Sequence, residues 1–334
     1  MGRSDHGRCG TQRSEDGTQR SEDAVVRRLT SIFAAGSGAP PAGEVWIGDD
    51  AAVVAQPAGR LVLCCDAVVA GVHADLSFVG LDDLGWKAVT TTVSDVGAVG
   101  ARACHVLLTF CAPPGTDLEA VATGAAEAAS RWRCPVVGGD VTASSQLMVS
   151  AAATGVLEGE APPVLRSGAS PGDTIFVTGP LGGSAAGLRV LRAGGAVPDL
   201  GLDDPAFATL VRAHRRPEAR LAEGMTARAA GATAMLDVSD GLAIDLHRLA
   251  EASGVGIALD DVPVADGATE EEALVGGEDY ELVIATPEPA RLVSAFNAAS
   301  LRAPIAIGRC TGHPGERTVR EKPLGRRGFE HRFT

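Results

Sequence analysis

The sequence predicts a mixed α/β fold in two units, on three observations. Short apolar runs alternate with helix-period segments in both halves. A stretch dense in Pro, Gly and Ser, Pro162 to Gly172, interrupts the alternation midway. The chain has 334 residues, 45% of them hydrophobic, which is more than one core usually organises and enough to fill two.

Residues 10–23 write the heptapeptide Gly-Thr-Gln-Arg-Ser-Glu-Asp twice, with no apolar side chain to bury. Residues 1–23 are therefore expected to be a disordered tail. Residues 24–160 then form a first domain and residues 161–334 a second.

Ala24 to Ala35 has a helical period. Val45 to Val54 holds two apolar runs split by Gly48-Asp49-Asp50, and Leu61 to Cys65 is a strand ending at Asp66. Asp82 to Gly97 reads as a helix, and Cys104 to Ala112 as a strand stopped by Pro113-Pro114. Thr116-Asp117-Leu118-Glu119 has the pattern of a capping box opening a helix to Trp132. Pro135 to Gly138 is a strand entering Gly139-Asp140, and Gln146 to Leu157 another. In the second half, the strand Thr174 to Thr178 passes through a glycine turn into a helix ending near Ala193. Two helices cover Pro205 to Ala230, then Ala234 to Leu236 is a strand and Asp240 to Ala252 a helix. Val255–Leu259, Tyr280–Ala285 and Pro304–Ile307 complete the strands.

Composition narrows the function. A net charge of −13 and only 4% aromatics argue against a nucleic-acid partner, which needs clustered cations or stacking platforms. The same charge argues against an anionic membrane surface. A phosphorylated ligand stays compatible, because a divalent cation can sit between two anions. The seven cysteines show no C-x-x-C pair and no zinc spacing. An odd number, mostly in apolar runs, suits reduced thiols in the cytoplasm. No apolar run is long enough to span a membrane, and the N-terminus has no signal-peptide core.

The informative residues are aspartates. Asp49, Asp50, Asp66, Asp140, Asp237 and Asp240 fall where apolar runs stop, the places where sites in α/β folds assemble. Asp95 instead lines up with Leu84, Ala88, Thr92 and Val99 on one small, largely apolar helix stripe, where a carboxylate needs compensation. Two unit charges 4 Å apart repel by roughly 1 kcal/mol in water and about 4 at an effective dielectric near 20. Hard cations would relieve such a cluster, and an all-carboxylate set suits Mg²⁺ better than Zn²⁺. Each Asp taken singly also reads as a turn or helix cap.

Familiar nucleotide loops are absent. The chain has two lysines, Lys87 and Lys322, and neither follows a glycine loop, so a Walker A site is excluded. The Gly-x-Gly-x-x-Gly and protein-kinase signatures are missing. Gly179-x-x-Gly182-Gly183-Ser184 before a helix suits a phosphate at a helix N-terminus or tight strand–helix packing equally.

Taken together, several segments resemble the thiamine-monophosphate kinases from about residue 24 to the end. They are Ile47-Gly48-Asp49-Asp50-Ala51-Ala52, Asp66 with Ala70-Gly71-Val72-His73, Val93-Ser94-Asp95-Val96, Gly138-Gly139-Asp140, Arg166-Ser167-Gly168-Ala169, Leu236 to Leu242, and Gly276 to Leu282. Seven such motifs in order are a specific match. The resemblance implies the two-domain fold shared with aminoimidazole ribonucleotide synthetase, with the N-terminal sheet pairing across a homodimer. It implies phosphorylation of thiamine phosphate by ATP with Mg²⁺. By the same resemblance, Asp50, Asp66, Asp95, Asp140, Asp237 and Asp240 are similar to metal ligands. Gly139, Asp140, Arg166 and Ser239 look like ATP contacts, and His73, Glu278 and Phe329 like thiamine-phosphate contacts.

Two positions depart from the family pattern. Cys64-Cys65 stand where the family often has Ser-Thr, and a thiol is a poor Mg²⁺ ligand. These two positions would then contribute backbone carbonyls, or one metal site is weakened. Phe329 stands where Trp or Tyr is also familiar, so it stacks without offering a hydroxyl.

The expected chemistry needs no general base. The nucleophile is a phosphate oxygen, already anionic, and the difficulty is bringing polyanion to polyanion. In-line transfer assisted by several Mg²⁺ ions follows. Two alternatives stand beside it: a sister enzyme such as a selenophosphate synthetase, and a non-catalytic, metal-dependent nucleotide-binding protein. Cys9-Gly10 superficially suggests the former but precedes the repetitive tail. Hydrogenase-maturation relatives end in a cysteine, whereas this chain ends His331-Arg332-Phe333-Thr334. The Cys64-Cys65 departure is the best support for the latter.

Overall fold

A computed structural model describes residues 22–194 and 205–332. Most of the repeat expected to be disordered therefore lies outside the described residues.

The first half builds one four-stranded sheet. β1 (Arg60–Val69), β2 (Arg102–Ala112), β3 (Val136–Ala143) and β4 (Met148–Leu157) take the order β1-β4-β2-β3. β2 and β3 are parallel, joined by the crossover helix α3 (Leu118–Arg131), and the other pairs are antiparallel. Helix α2 (Leu81–Ala98) lies against this sheet, α3 packs on α2, and α1 (Glu22–Ser37) packs on α3. Two glycines permit the α2–α3 crossing: a Cβ on Gly85 would lie 1.9 Å from the Val121 carbonyl oxygen, and one on Gly124 1.7 Å from that of Asp82.

Period-2 alternation along β1 decides which side chains reach the site. Val62, Cys64, Asp66 and Val68 turn inward, whereas Leu61 and Leu63 on the opposite face are 58% and 69% exposed.

The second half builds a seven-stranded sheet with helices on both faces. The strands are β5 (Thr174–Val177), β6 (Ala234–Asp237), β7 (Gly256–Leu259), β8 (Leu282–Thr286), β9 (Ile305–Thr311), β10 (Arg317–Val319) and β11 (Lys322–Pro323), in the order β11-β10-β7-β9-β5-β8-β6. Burial on both faces explains the apolar runs of β5, β6, β7 and β8. Val283 and Ala285 pack with α7 (Leu242–Ser253), while Leu282 and Ile284 pack with α6 (Leu221–Ala229) and α9 (Pro289–Ala298). α4 (Gly183–Gly194), α5 (Pro205–Arg215) and α8 (Glu270–Val275) complete the helices among the described residues. α2 also meets α6 through small residues, since a Cβ on Gly224 would lie 2.0 Å from the Gly97 carbonyl oxygen.

The predicted mixed α/β order is the one observed, with local corrections. β1 runs through Asp66 to Val69, because the Asp66 backbone pairs with Ala151 and its side chain opens onto a cavity rather than a core. β3 likewise runs through Asp140 to Ala143. The α3 cap is Asp117, whose carboxylate accepts from the Ala120 amide, while Glu119 pairs with Arg28 across to α1. The expected Thr116 capping box is therefore absent. α8, α9, β10 and β11 were not anticipated from periodicity, being short or weakly patterned.

Candidate active site

A cavity of about 920 Å³ opens between the two halves. Its wall takes residues from the end of β1 and the loop after it, from α2 and α4, from the turn after β6, from the turn before β8, and from the C-terminal segment.

Part of the wall is acidic. Asp66 arrives on the inward face of β1, Asp95 on α2, Asp237 at the end of β6 and Asp240 on the turn after it; all four line the cavity with Ser239. They sit close enough to disturb one another. Burial pushes the Asp95 carboxyl up to about 7, and the like charges of Asp237 and Asp66 push the same way, against the pull of Arg166. Burial also raises Asp237, which accepts a short hydrogen bond from the Ser94 hydroxyl. Asp66 is raised by burial and by Asp240, with His73 acting in the opposite sense. Asp240 is braced by Arg248, whose Nη1 donates to Asp240 Oδ2 at 2.5 Å and to Asp245 Oδ1 at 2.6 Å.

Aromatic rings line the cavity beside these aspartates. His73 Nδ1 accepts from the Val69 amide at 3.0 Å, which turns its Nε2 toward His331 Nε2, 3.4 Å away. Burial and the neighbouring His331 ring both lower the His73 pKa. The Phe329 ring stands 4.8 Å from that of His331 and 6.4 Å from that of His73. The C-terminal segment is pinned there: the Phe329 amide donates to the Asp240 carbonyl at 2.9 Å. A Cβ on Gly328 would lie 2.6 Å from that same oxygen.

The turn Gly276 to Tyr280 carries Glu278 into the cavity wall. Glu278 and Tyr280 have φ of 65° and 51°, left-handed values that cost non-glycine residues about 1–3 kcal/mol each and cluster at functional sites. The turn is stitched to its neighbour by Glu278 N–H to Ser239 O at 2.8 Å and Tyr280 N–H to Val238 O at 3.0 Å.

Of the residues singled out from sequence, Asp66, His73, Asp95, Asp237, Ser239, Asp240, Glu278 and Phe329 converge on this cavity. Asp50, Gly139, Asp140 and Arg166 are exposed and lie outside its wall. Neither cysteine presents its sulfur there. Cys64 Sγ donates to the Thr92 carbonyl at 3.1 Å, and burial pushes its pKa up to about 12; Cys65 faces the opposite side of the sheet, near Ser150. The glycine turn before α4 has an internal partner. Asp279 accepts from the Gly182 and Ser184 amides at 2.6 and 3.1 Å, which supports the packing reading over a phosphate loop.

Sequence reasoning overlooked Lys87, Ser94, His214, Arg248, Asp279 and His331. One signal was available for Lys87, the only lysine of a helix otherwise rich in small and apolar residues. The others are joined only by tertiary contacts.

The donor set suits a hard divalent cation: the cavity offers carboxylate and hydroxyl oxygens, with both thiols turned away. Among the described residues no three His, Cys, Asp or Glu side chains form a preassembled metal site.

Residues 48–157 match the family described as AIR synthase related protein, N-terminal domain, and residues 170–320 match its C-terminal domain. The thiamine-monophosphate kinase of Mycobacterium tuberculosis (strain ATCC 25618 / H37Rv) is 40% identical over 255 residues, 75% of this chain and 74% of that protein. That of Bacillus subtilis (strain 168) is 34% identical over 276 residues, 78% of this chain and 83% of that protein. Among solved structures, thiamine-monophosphate kinase from Stenotrophomonas maltophilia K279a superposes with a TM-score of 0.78 at 28% identity, covering 89% of this chain and 97% of that one. AaThiL complexed with AMPPCP and TMP gives 0.71 at 30% identity, covering 93% and 96%. A hydrogenase maturation protein of E. coli shares the fold, with a TM-score of 0.68 at 20% identity and coverage of 91% and 96%. On these matches the chain belongs to the thiamine-monophosphate kinases, within the AIR synthase related proteins.

Proposed function

We propose that the chain transfers the γ-phosphoryl group of ATP directly, in line, to thiamine phosphate, giving ADP and thiamine diphosphate. The observation that carries this reading is the lining of one cavity, in which Asp66, Asp95, Asp237 and Asp240 stand together with His73, Phe329 and Glu278. The aspartates suit metal-bridged phosphates. The aromatic rings suit a cationic heteroaromatic, because ring faces attract cations.

The chain's own residues hold and orient. Asp66, Asp95, Asp237 and Asp240 would ligate Mg²⁺, with Asp50 and Asp140 as further candidate ligands; when bound, the metal would neutralise phosphate charge in the transfer. Cys64 and Cys65 are left to contribute backbone carbonyls alone. Gly139, Asp140, Arg166 and Ser239 are proposed ATP contacts, and His73, Glu278 and Phe329 hold the acceptor. No side chain is needed as base, since the attacking phosphate oxygen is already anionic.

The working form is proposed to be a homodimer paired through the first sheet. Its outer face exposes Leu61, Leu63 and Leu107, apolar side chains of the kind an interface would cover. The domain boundary is placed near residue 160, between the two family matches. A cytoplasmic setting is proposed on the six unpaired cysteines among the described residues. Among those residues no helix is long and apolar enough to cross a membrane.

The test is ADP release by purified protein with ATP, Mg²⁺ and thiamine phosphate. Turnover with selenide in place of thiamine phosphate would sink the proposal. ATP binding without any turnover would favour the non-catalytic reading.

A further inference from the structure

We propose that Lys87 is a positioning residue, whose buried ammonium fixes Glu278 as an anionic acceptor aimed into the cavity and so selects an acceptor substrate with a cationic or N–H-bearing ring. The inference rests on the reading of thiamine phosphate as substrate.

Lys87 is fully buried on α2, and its Nζ donates to Glu278 Oε2 at 2.9 Å. An ammonium taken out of water requires a compensating partner, and this carboxylate supplies it. Glu278 lines the cavity and Lys87 does not, so Lys87 acts through Glu278. His214 approaches the same oxygen, with Nδ1 3.6 Å from Oε2 and 3.1 Å from Ser184 Oγ. Burial, reinforced by Lys87, lowers the His214 pKa to about 4. His214 is therefore neutral, and the positive charge bonded to Glu278 is that of Lys87.

Two further features mark the pair as purposeful. Only two of the 29 Lys and Arg residues are lysine, and one of these, Lys87, is fully buried. A compact ammonium on a flexible stem fits where a guanidinium fork does not. Glu278 is also held at a left-handed φ of 65°, a conformation that persists only when its surroundings over-determine it.

The experiment compares wild type, Lys87→Met, Glu278→Gln and the double variant in steady-state assays with ATP, Mg²⁺ and thiamine phosphate, each with a melting temperature. Lys87→Met is expected to raise the KM for thiamine phosphate by roughly tenfold or more, leaving kcat and the ATP KM within about threefold. In the Glu278→Gln background, Lys87→Met is expected to add no further increase. Independent, additive increases, or an unchanged KM in folded Lys87→Met, would overturn the inference. Should Lys87→Met fail to fold, comparing Glu278→Gln with the charge-balanced double variant decides the same question. A wild type inactive on thiamine phosphate would instead refute the proposed function itself.

Discussion

Replacing Asp95 with Asn removes one negative charge from the aspartate group while nearly conserving shape. In the folded protein this carboxyl is raised from 3.8 to about 7 by burial, with the charges of Asp237 and Asp66 adding to it. Each pH unit is worth about 1.4 kcal/mol, so ionised Asp95 costs the metal-free fold about 4 kcal/mol. That is an upper limit, because part of the carboxylate meets water. The folded state binds the proton more tightly than the unfolded chain. Its contribution to stability is therefore full below pH 3.8 and is lost as pH rises through about 7. An amide has no such loss. At pH 8 without metal, Asp95→Asn should melt a few degrees above wild type, at about 2 °C per kcal/mol, and the gap should close toward pH 4. With ATP, Mg²⁺ and thiamine phosphate the same variant should lose roughly 100-fold or more in turnover. Scanning calorimetry across pH and coupled ADP release measure the two effects. A variant that melts below wild type at pH 8, or turns over near the wild-type rate at low Mg²⁺, refutes the argument.

Asp140→Asn should abolish turnover with little change in melting temperature, because Asp140 is exposed; circular dichroism melts beside the ADP assay check both. Phe329→Ala should raise the KM for thiamine phosphate by about 2- to 30-fold, the value of a cation–π contact, with the ATP KM unchanged in the same kinetics. Gly224→Ala should destabilise by about 1–3 kcal/mol, since its Cβ would sit 2.0 Å from the Gly97 carbonyl oxygen where α6 crosses α2; urea denaturation midpoints read this directly.

Much of the fold was legible because apolar period follows secondary structure. β2, β4, α2 and α7 fall within a few residues of their expected places. The acidic residues were legible as a set because carboxylates interrupting apolar runs are costly without a purpose. Their geometry was not. Asp66 and Asp140 were expected at strand ends, yet both lie within strands, because a ladder continues wherever a partner backbone is available, whatever the side chain faces. Asp279 lies within the Gly276 to Leu282 segment, and nothing local shows that it caps α4 from nearly a hundred residues away.

The sequence alone pointed to a class of chemistry. Two lysines without a glycine loop, aspartates without attendant histidine or zinc-spaced cysteine, and a charge of −13 made an oxygen-ligated metal the expected route to a phosphate. These are matters of composition and local order, and no folding is needed to read them. Only the tertiary structure decided which residues share one cavity. It joined β1, α2, the turn before β8 and the C-terminal segment, and it turned the Cys64 thiol to Thr92. It also placed a buried ammonium under Glu278. Those pairings depend on strand pairing and helix crossing between distant segments, and a one-dimensional pattern carries no record of which distant residues meet.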